Sequence, residues 1–199
     1  METVVTKTDV YSFSELSEEA KEHTLEKQYD INVDGYDWWD GDFDDFKAIG
    51  KILGIDIDNV YFSGFSSQGD GACFEGNYEY KKGMRKAIKE YAPKDTELHE
   101  IAERLFNIQR KSFYALSATI KHSGHYYHEM CTVIDVWNDM QETYASSCSD
   151  DEIHDVLRSF MQWIYSQLNK QYDFLTSEEV IIETLECNGY QFTIDGKLL

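Results

Sequence analysis

Three short segments of the sequence group side chains that could do chemistry. The first is a polar loop between two predicted strands, residues 66–71, where two glycines let the backbone approach a ligand. Ser67, Gln68 and Asp70 offer hydrogen-bond donors and acceptors there. The loop lacks the Lys-Ser/Thr pair of a nucleotide-binding P-loop and leads into a strand instead of a helix. Its residue types indicate either a small-ligand site or an ordinary hairpin turn that carries polar side chains.

The second segment is rich in histidine and includes His122, His125 and His128. If residues 123–124 form a two-residue turn, His122 and His125 lie on one side of the hairpin and His128 on the other. A zinc site with three histidines would then need a bulge. We therefore expect no metal or other cofactor here, with a divalent metal held by two histidines and a carboxylate as the alternative. His122 and His125 remain candidates for a ligand site shared with Ser67, Gln68 and Asp70.

The third segment clusters six Asp residues with four aromatic residues between positions 34 and 45. Its spacing does not fit an EF-hand, because no carboxylate closes the loop at the required distance after the glycine. One interpretation is a helix N-terminus rich in Asp, anchored to the core by its tryptophans. The other is a partner-binding surface, since exposed aromatic residues flanked by acids suit a basic groove. The candidate partner-binding residues are Asp37, Trp38, Trp39, Asp40 and Asp42.

The sequence offers little support for an enzyme. It contains no G-x-S-x-G elbow, and its four cysteines have no C-x-x-C spacing. We therefore predict no catalytic residue. The cysteine pattern, together with an N-terminus that has neither a basic start nor an apolar run, predicts reduced thiols in a cytoplasm.

The charge of the chain limits its partners. Asp and Glu number 38 against 18 Lys and Arg, a formal net charge of −20. Such a charge repels phosphate backbones and anionic lipids and attracts basic surfaces. We therefore expect neither direct nucleic-acid binding nor membrane binding. A charge of this size also keeps a protein dissolved, which is the plainer interpretation.

The elements that position these segments follow from periodicity and capping signals. Ser17 is a predicted N-cap, Gly54 a helix stop, Ser149 the cap of the longest helix and Thr176 the start of a capping box. The pattern predicts a single α+β domain, residues 1–199, with an antiparallel sheet of at least four strands and a long helix across it. The predicted helices cover 17–30, 42–53, 82–91, 95–111, 150–172 and 176–187, and the predicted strands form two hairpins, 55–65 with 72–78 and 113–121 with 126–137, with a short strand at 190–194.

Four runs carry a resemblance to a known group of proteins. They are Tyr11–Lys21, Asp37–Asp40, Val60–Gly76 and Lys121–His128. The chain resembles a family of bacteriophage and prophage proteins that are often labelled hypothetical or antitoxin-like. This resemblance implies a phage origin and expression in a bacterial cytoplasm, and it brings no catalytic residues with it.

Two hypotheses follow for the function. The first is a phage-encoded binding protein that neutralises a basic bacterial protein, such as a defence effector or toxin, by acidic mimicry of nucleic acid. The second is a nucleotide-binding or metal-dependent enzyme site built from loop 66–71 and the histidine hairpin 122–128. The second hypothesis requires both hairpin tips to lie at the same end of the sheet.

Overall fold

A computed structural model describes residues 9–35 and 37–199 of the chain. The chain divides into two compact units, one formed by residues 39–169 and the other by the described residues up to Trp38 together with residues 170–199. The single-domain prediction therefore stays a prediction. The helices are α1 (Glu18–Lys27), α2 (Asp40–Leu53), α3 (Met84–Tyr91), α4 (Thr96–Lys111), α5 (Ser147–Leu175) and α6 (Glu178–Cys187), and the strands are β1 (Ile55–Phe62), β2 (Ala72–Glu79), β3 (Leu116–His122), β4 (Thr132–Asn138) and β5 (Thr143–Tyr144).

The five strands form one sheet in the order β1-β2-β3-β4-β5, and every neighbouring pair is antiparallel. The predicted α+β class, with two hairpins and about six helices, is confirmed. Gly54 ends α2 with a φ of 87°, so the chain turns directly into β1. A bulge between Ile57 and Asn59 shifts the β1–β2 register by one residue.

The core of the larger unit lies between one face of the sheet and its helices. The ring of Phe74 in β2 contacts Phe160 in α5 at 5.8 Å between centroids. His154 of α5 donates from Nε2 to the carbonyl of Ile134 in β4 at 2.6 Å. Helix α5 therefore packs on the sheet, as the sequence predicts. The buried residues of the sheet lie on the face toward the helices: Ile57, Val60, Phe74, Tyr78, Ala118, Ile120, Ile134 and Val136. In α4 the buried residues recur every three or four positions, as a helix with one buried side requires: Leu98, Ile101, Leu105 and Ile108.

The smaller unit has its own apolar cluster. Ser17 caps α1, since its side chain accepts a hydrogen bond from the backbone N–H of Ala20. The buried hydroxyl of Thr24 donates to the carbonyls of Ala20 and Gly196. The cluster consists of Phe13, Leu16, Ala20, Ile181, Leu185 and Phe192.

Several element boundaries differ from the predictions. Helix α5 begins at Ser147, so Ser149 is inside the helix and is not its cap. The N-cap of α6 is Ser177; the hydroxyl of Thr176 donates to the carbonyl of Tyr172, which rules out the predicted capping box. The predicted strand at 190–194 is reduced to isolated bridges at Phe192.

The second hairpin differs most from its prediction. Phe113 has a φ of 55° and lies in the turn after α4, so β3 begins later, at Leu116. Strand β4 begins at Thr132 and not near residue 126, which makes the connection a nine-residue loop, 123–131, in place of a two-residue turn. His125 and His128 are therefore in a loop.

No helix in the described part of the chain combines the length and the apolar character needed to span a bilayer. The first eight residues, on which the prediction about the N-terminus partly rests, lie outside the described residues.

Candidate functional site

The two hairpin loops meet at one end of the sheet. Loop 63–71 joins β1 to β2, and loop 123–131 joins β3 to β4. A Cβ atom on Gly71 would lie 2.9 Å from Cδ2 of His128 and 3.1 Å from its Cα. A Cβ atom on Gly69 would lie 3.4 Å from Cδ1 of Tyr126. The geometric condition of the ligand-site hypothesis is therefore fulfilled.

The polar groups of loop 63–71 mostly serve the loop itself. Asp70 Oδ2 accepts hydrogen bonds from the backbone N–H groups of Ser66 at 3.0 Å and Ser67 at 2.6 Å. The carboxylate thus holds the turn closed. Ser67 and Gln68 are exposed at the tip. The loop is fixed to helix α5 through Tyr165, whose hydroxyl donates to the carbonyl of Gly64 at 3.1 Å.

The three histidines make separate contacts. His122 donates from Nε2 to the carbonyl of Tyr126 at 3.1 Å, and the ring of exposed His125 meets the edge of Tyr126 at 5.1 Å between centroids. His128 Nδ1 accepts from the backbone N–H of Met130 at 3.1 Å. Within residues 9–35 and 37–199, no group of three or more His, Cys, Asp or Glu side chains has the arrangement needed to hold a metal ion.

An aromatic and acidic cluster covers the junction between the loops and the sheet. Tyr61 and Tyr127 stack at 5.2 Å with an interplanar angle of 13°, and His122 packs against both rings. The hydroxyl of Tyr61 donates to Glu75 Oε2 at 2.9 Å, and the backbone N–H of His122 donates to Glu75 Oε1 at 3.2 Å. The hydrogen bond from Tyr61, followed by that from Asn59, lowers the pKa of Glu75. Glu75 therefore stays ionised and ties β1, β2 and β3 together.

The predicted partner-binding segment turns its tryptophans toward its own chain. Trp38 is half-buried and lies 6.0 Å from the ring of Tyr172. Trp39 is also half-buried and meets Phe62 edge-on at 5.2 Å.

The acids of that segment surround the start of α2. Asp40 and Asp42 occupy the first helical turn, and Asp37 and Asp40 are exposed. Burial, followed by the nearby charge of Asp45, raises the pKa of Asp42. The segment therefore has the geometry of the helix N-terminus that the sequence also allowed, and its tryptophans do not project as free anchors.

The sheet face opposite the core carries residues that the sequence analysis missed. We call this surface the outer face. On it, Trp137 of β4 is 38% exposed, Tyr144 of β5 is 67% exposed and Val133 is 47% exposed. Trp137 and Tyr144 are register partners, and their rings meet edge-on at 5.2 Å. The remaining members of the outer face are Asp56, Asn59, Tyr61, Glu75, Asn77, Glu79, Ser117, Thr119, Lys121 and Asp135.

Charge on the outer face is unbalanced, with four carboxylates against one lysine. The sequence signal that could have found this face is the alternation of Val133, Asp135 and Trp137 with buried Thr132, Ile134 and Val136. The alternation identifies a strand, but both faces of β4 contain apolar residues. Only the structure shows which set is exposed.

The fold and this surface define an α+β protein with a helix-covered sheet whose other face is acidic and aromatic. Residues 38–178 match the model of a domain of unknown function (DUF8835), and the chain belongs to that family. The matched region contains the whole sheet and helices α2 to α5. Searches of curated proteins and of solved structures found no match for the chain.

Proposed function

We propose that the protein is a binding protein that recognises a basic protein surface through its outer face. The observation that carries this proposal is the exposed pair Trp137 and Tyr144, which shares the outer face with Val133 and four carboxylates. Large exposed apolar side chains that group together mark interaction sites, and Trp and Tyr dominate the energetics of protein interfaces. A rim of carboxylates adds preference for a cationic partner.

The partner that fits this surface is a basic bacterial protein. The net charge of −20 repels nucleic acid and favours a surface that itself binds nucleic acid. Together with the resemblance to phage proteins, this supports a phage-encoded factor that neutralises a host defence effector or toxin in the bacterial cytoplasm. The mechanism is occupation of a basic site by carboxylates in place of phosphates, with no catalytic step.

The test compares an outer-face variant with a matched control. The protein is used to capture partners from bacterial lysate, and the affinity of a purified captured protein is then measured at several salt concentrations. We expect Trp137→Ala to weaken binding by about 2 kcal/mol or more, as for an interface hot spot. Phe174→Ala, which removes an exposed aromatic ring of α5, should bind like the wild type. Circular dichroism checks that both variants fold.

Salt dependence provides the second criterion. Binding led by carboxylates should weaken as salt rises, because the Debye length is about 8 Å at physiological ionic strength and shorter above it. An affinity that is the same at low and high salt would contradict electrostatic mimicry. Equal losses in Trp137→Ala and Phe174→Ala would contradict the assignment to the outer face.

A second candidate function is a small-ligand or metal-dependent site at the two loops. It is favoured by the contact of His128 with Gly71 and of Tyr126 with Gly69. It ranks second because Asp70 and His128 already bond within their own loops. Metal analysis and a thermal-shift screen with nucleotides test it, since a ligand at 100 times its dissociation constant adds roughly 2.7 kcal/mol of stability. A shift abolished by His122→Ala would support this site.

A further inference from the structure

The positive charge of the chain is concentrated in one stretch. Residues 81–111 contain nine of the 18 Lys and Arg residues and only five Asp and Glu residues. The rest of the chain therefore has nine bases and 33 acids. The stretch includes helices α3 and α4, which pack against each other. A chain with a net charge of −20 thus has one locally cationic region.

This region contains a groove of about 640 Å³, which is within the range of small-ligand sites. Helix α3 buries Met84 and Ile88 and leaves Lys86 and Lys89 exposed. The residues that line the groove are Tyr80, Lys82, Gly83, Met84, Arg85, Lys86, Lys89, Glu90, Glu103 and Phe106. Four of these ten are cationic, and two are acidic.

The two acids of the groove each pair with a cation. Glu103 accepts two hydrogen bonds from Nη1 of Arg85, both at 3.1 Å. Glu90 lies 3.6 Å from Nζ of Lys86. The exposed ammonium groups of Lys82 and Lys89 are the cations of the groove that these carboxylates do not neutralise.

The floor of the groove is aromatic and carries an oriented guanidinium. The Cζ atom of Arg85 lies 3.6 Å from the ring centroid of Phe106, a cation–π contact. Because both bonds to Glu103 use Nη1, the other nitrogens of Arg85 point elsewhere. Tyr80, also at the groove, packs on Tyr114 at 4.6 Å between centroids. Aromatic rings and a guanidinium plane are surfaces on which a nucleobase stacks.

From this arrangement we infer that the groove between α3 and α4 binds a nucleoside phosphate. Lys82 and Lys89 contact the phosphates, with the paired Lys86 beside them. The base stacks on the guanidinium plane of Arg85, which itself lies over the ring of Phe106. This site is separate from the outer face, and the inference does not depend on the proposed function.

Size and charge favour a small nucleotide over a polynucleotide. Lys86 and Lys89 are three residues apart in α3, about 4.5 Å along its axis, and Lys82 lies in the turn just before the helix, so these cations suit only a few phosphates. Beyond residues 81–111 the chain has 33 acids and nine bases, so a longer strand would leave these cations and be repelled.

The test is isothermal titration calorimetry with ATP, inorganic phosphate and a long single-stranded oligonucleotide. We expect saturable binding of ATP, weaker binding of phosphate, and no gain in affinity for the oligonucleotide over ATP. Lys89→Glu should weaken ATP binding roughly tenfold or more, the scale of losing a charge-assisted contact. Lys94→Glu makes the same charge change on an exposed lysine outside the groove and should leave ATP binding unchanged. Thermal unfolding checks that both variants fold.

Other outcomes would overturn the inference. These are the absence of ATP binding to wild type, equal weakening by Lys89→Glu and Lys94→Glu, and affinity that grows with oligonucleotide length. If His122→Ala abolishes ATP binding while Lys89→Glu does not, the nucleotide binds at the loops and the groove assignment is wrong. A protein that binds no ATP but loses self-association in Lys89→Glu, measured by sedimentation velocity, would show that the groove contacts a second copy instead.

Discussion

Replacing Gln109 with leucine tests how the sheet is attached to helix α4. The side chain of Gln109 is fully buried. Its Nε2 donates to the carbonyl of Leu116 at 2.7 Å and to the hydroxyl of Tyr78 at 3.1 Å, and its Oε1 accepts from the N–H of Leu116 at 3.2 Å. Leucine has a similar volume but cannot form these hydrogen bonds, so the Tyr78 hydroxyl and the N–H and carbonyl of Leu116 each lose a partner. Because a buried unsatisfied polar group costs about 1–3 kcal/mol, we expect a loss of roughly 3–5 kcal/mol.

Equilibrium unfolding in urea, followed by circular dichroism and tryptophan fluorescence, measures this loss. We expect a lower midpoint with an unchanged dependence on denaturant, since the native surface stays the same. In a protein of this size each kcal/mol lowers Tm by about 2–4 °C. Gln109 belongs to the unit 39–169, so the transition of that unit should shift.

Tyr78→Phe is the matched control. It removes one of the three hydrogen bonds and leaves both bonds between Gln109 and Leu116, so we expect a loss of about 1 kcal/mol. Burial raises the pKa of Tyr78, so the phenol stays neutral and the comparison holds over the usual pH range. If Gln109→Leu costs no more than Tyr78→Phe, the view that this side chain satisfies the first residue of β3 is refuted.

Three further predictions concern the loops, the outer face and the thiols. Gly71→Ala should lower the free energy of unfolding by about 1–3 kcal/mol, because the new Cβ would meet Cδ2 and Cα of His128. Gly41→Ala is the control, since its Cβ would have no atom within 4 Å, and it should not destabilise the protein. Equal losses in the two variants would contradict the contact between the loops. Because the pKa of Glu75 is lowered in the folded protein, its ionised form stabilises the native state at pH values above the ordinary pKa of glutamate. This stabilisation is lost as the pH falls through the folded pKa of Glu75. Glu75→Gln should therefore cost stability at neutral pH and progressively less in acid, and a pH-independent difference in urea titrations would contradict this. Burial raises the pKa of Cys73 to about 12. A thiol reagent should therefore modify the exposed Cys148 and Cys187 of the native protein and leave Cys73 unmodified until the protein unfolds. Mass spectrometry of the labelled protein measures this.

The sequence predicted those elements whose signals are local. Asp95, the first residue of the predicted helix 95–111, accepts a hydrogen bond from the backbone N–H of Leu98 at 3.0 Å and so caps α4, which begins at Thr96. Ser17 and Gly54 also act where the sequence places them, because capping and left-handed stops depend on one residue and its near neighbours. The first hairpin follows from alternation and a glycine loop.

The second hairpin could not be predicted from local signals. The aromatic run near Tyr127 has high strand propensity, and Ser123-Gly124 resembles a hairpin turn. In the structure Tyr127 stacks on Tyr61 and His128 packs on Gly71. Tyr61 and Gly71 belong to the first hairpin. These long-range contacts outweigh strand propensity and remove the six residues 126–131 from the predicted strand.

The two proposed sites differ in the charge that surrounds them. A net charge of −20 spread evenly would exclude anions of every length. Here the stretch 81–111 is locally cationic, and charges more than about 8 Å apart are largely screened at physiological salt. A short phosphate therefore experiences mainly Lys82, Lys86 and Lys89, while a long polyanion also meets the acidic remainder of the chain. We accordingly expect raised salt to weaken a basic partner at the outer face and a nucleotide at the groove alike, and Lys89→Glu to affect only the second.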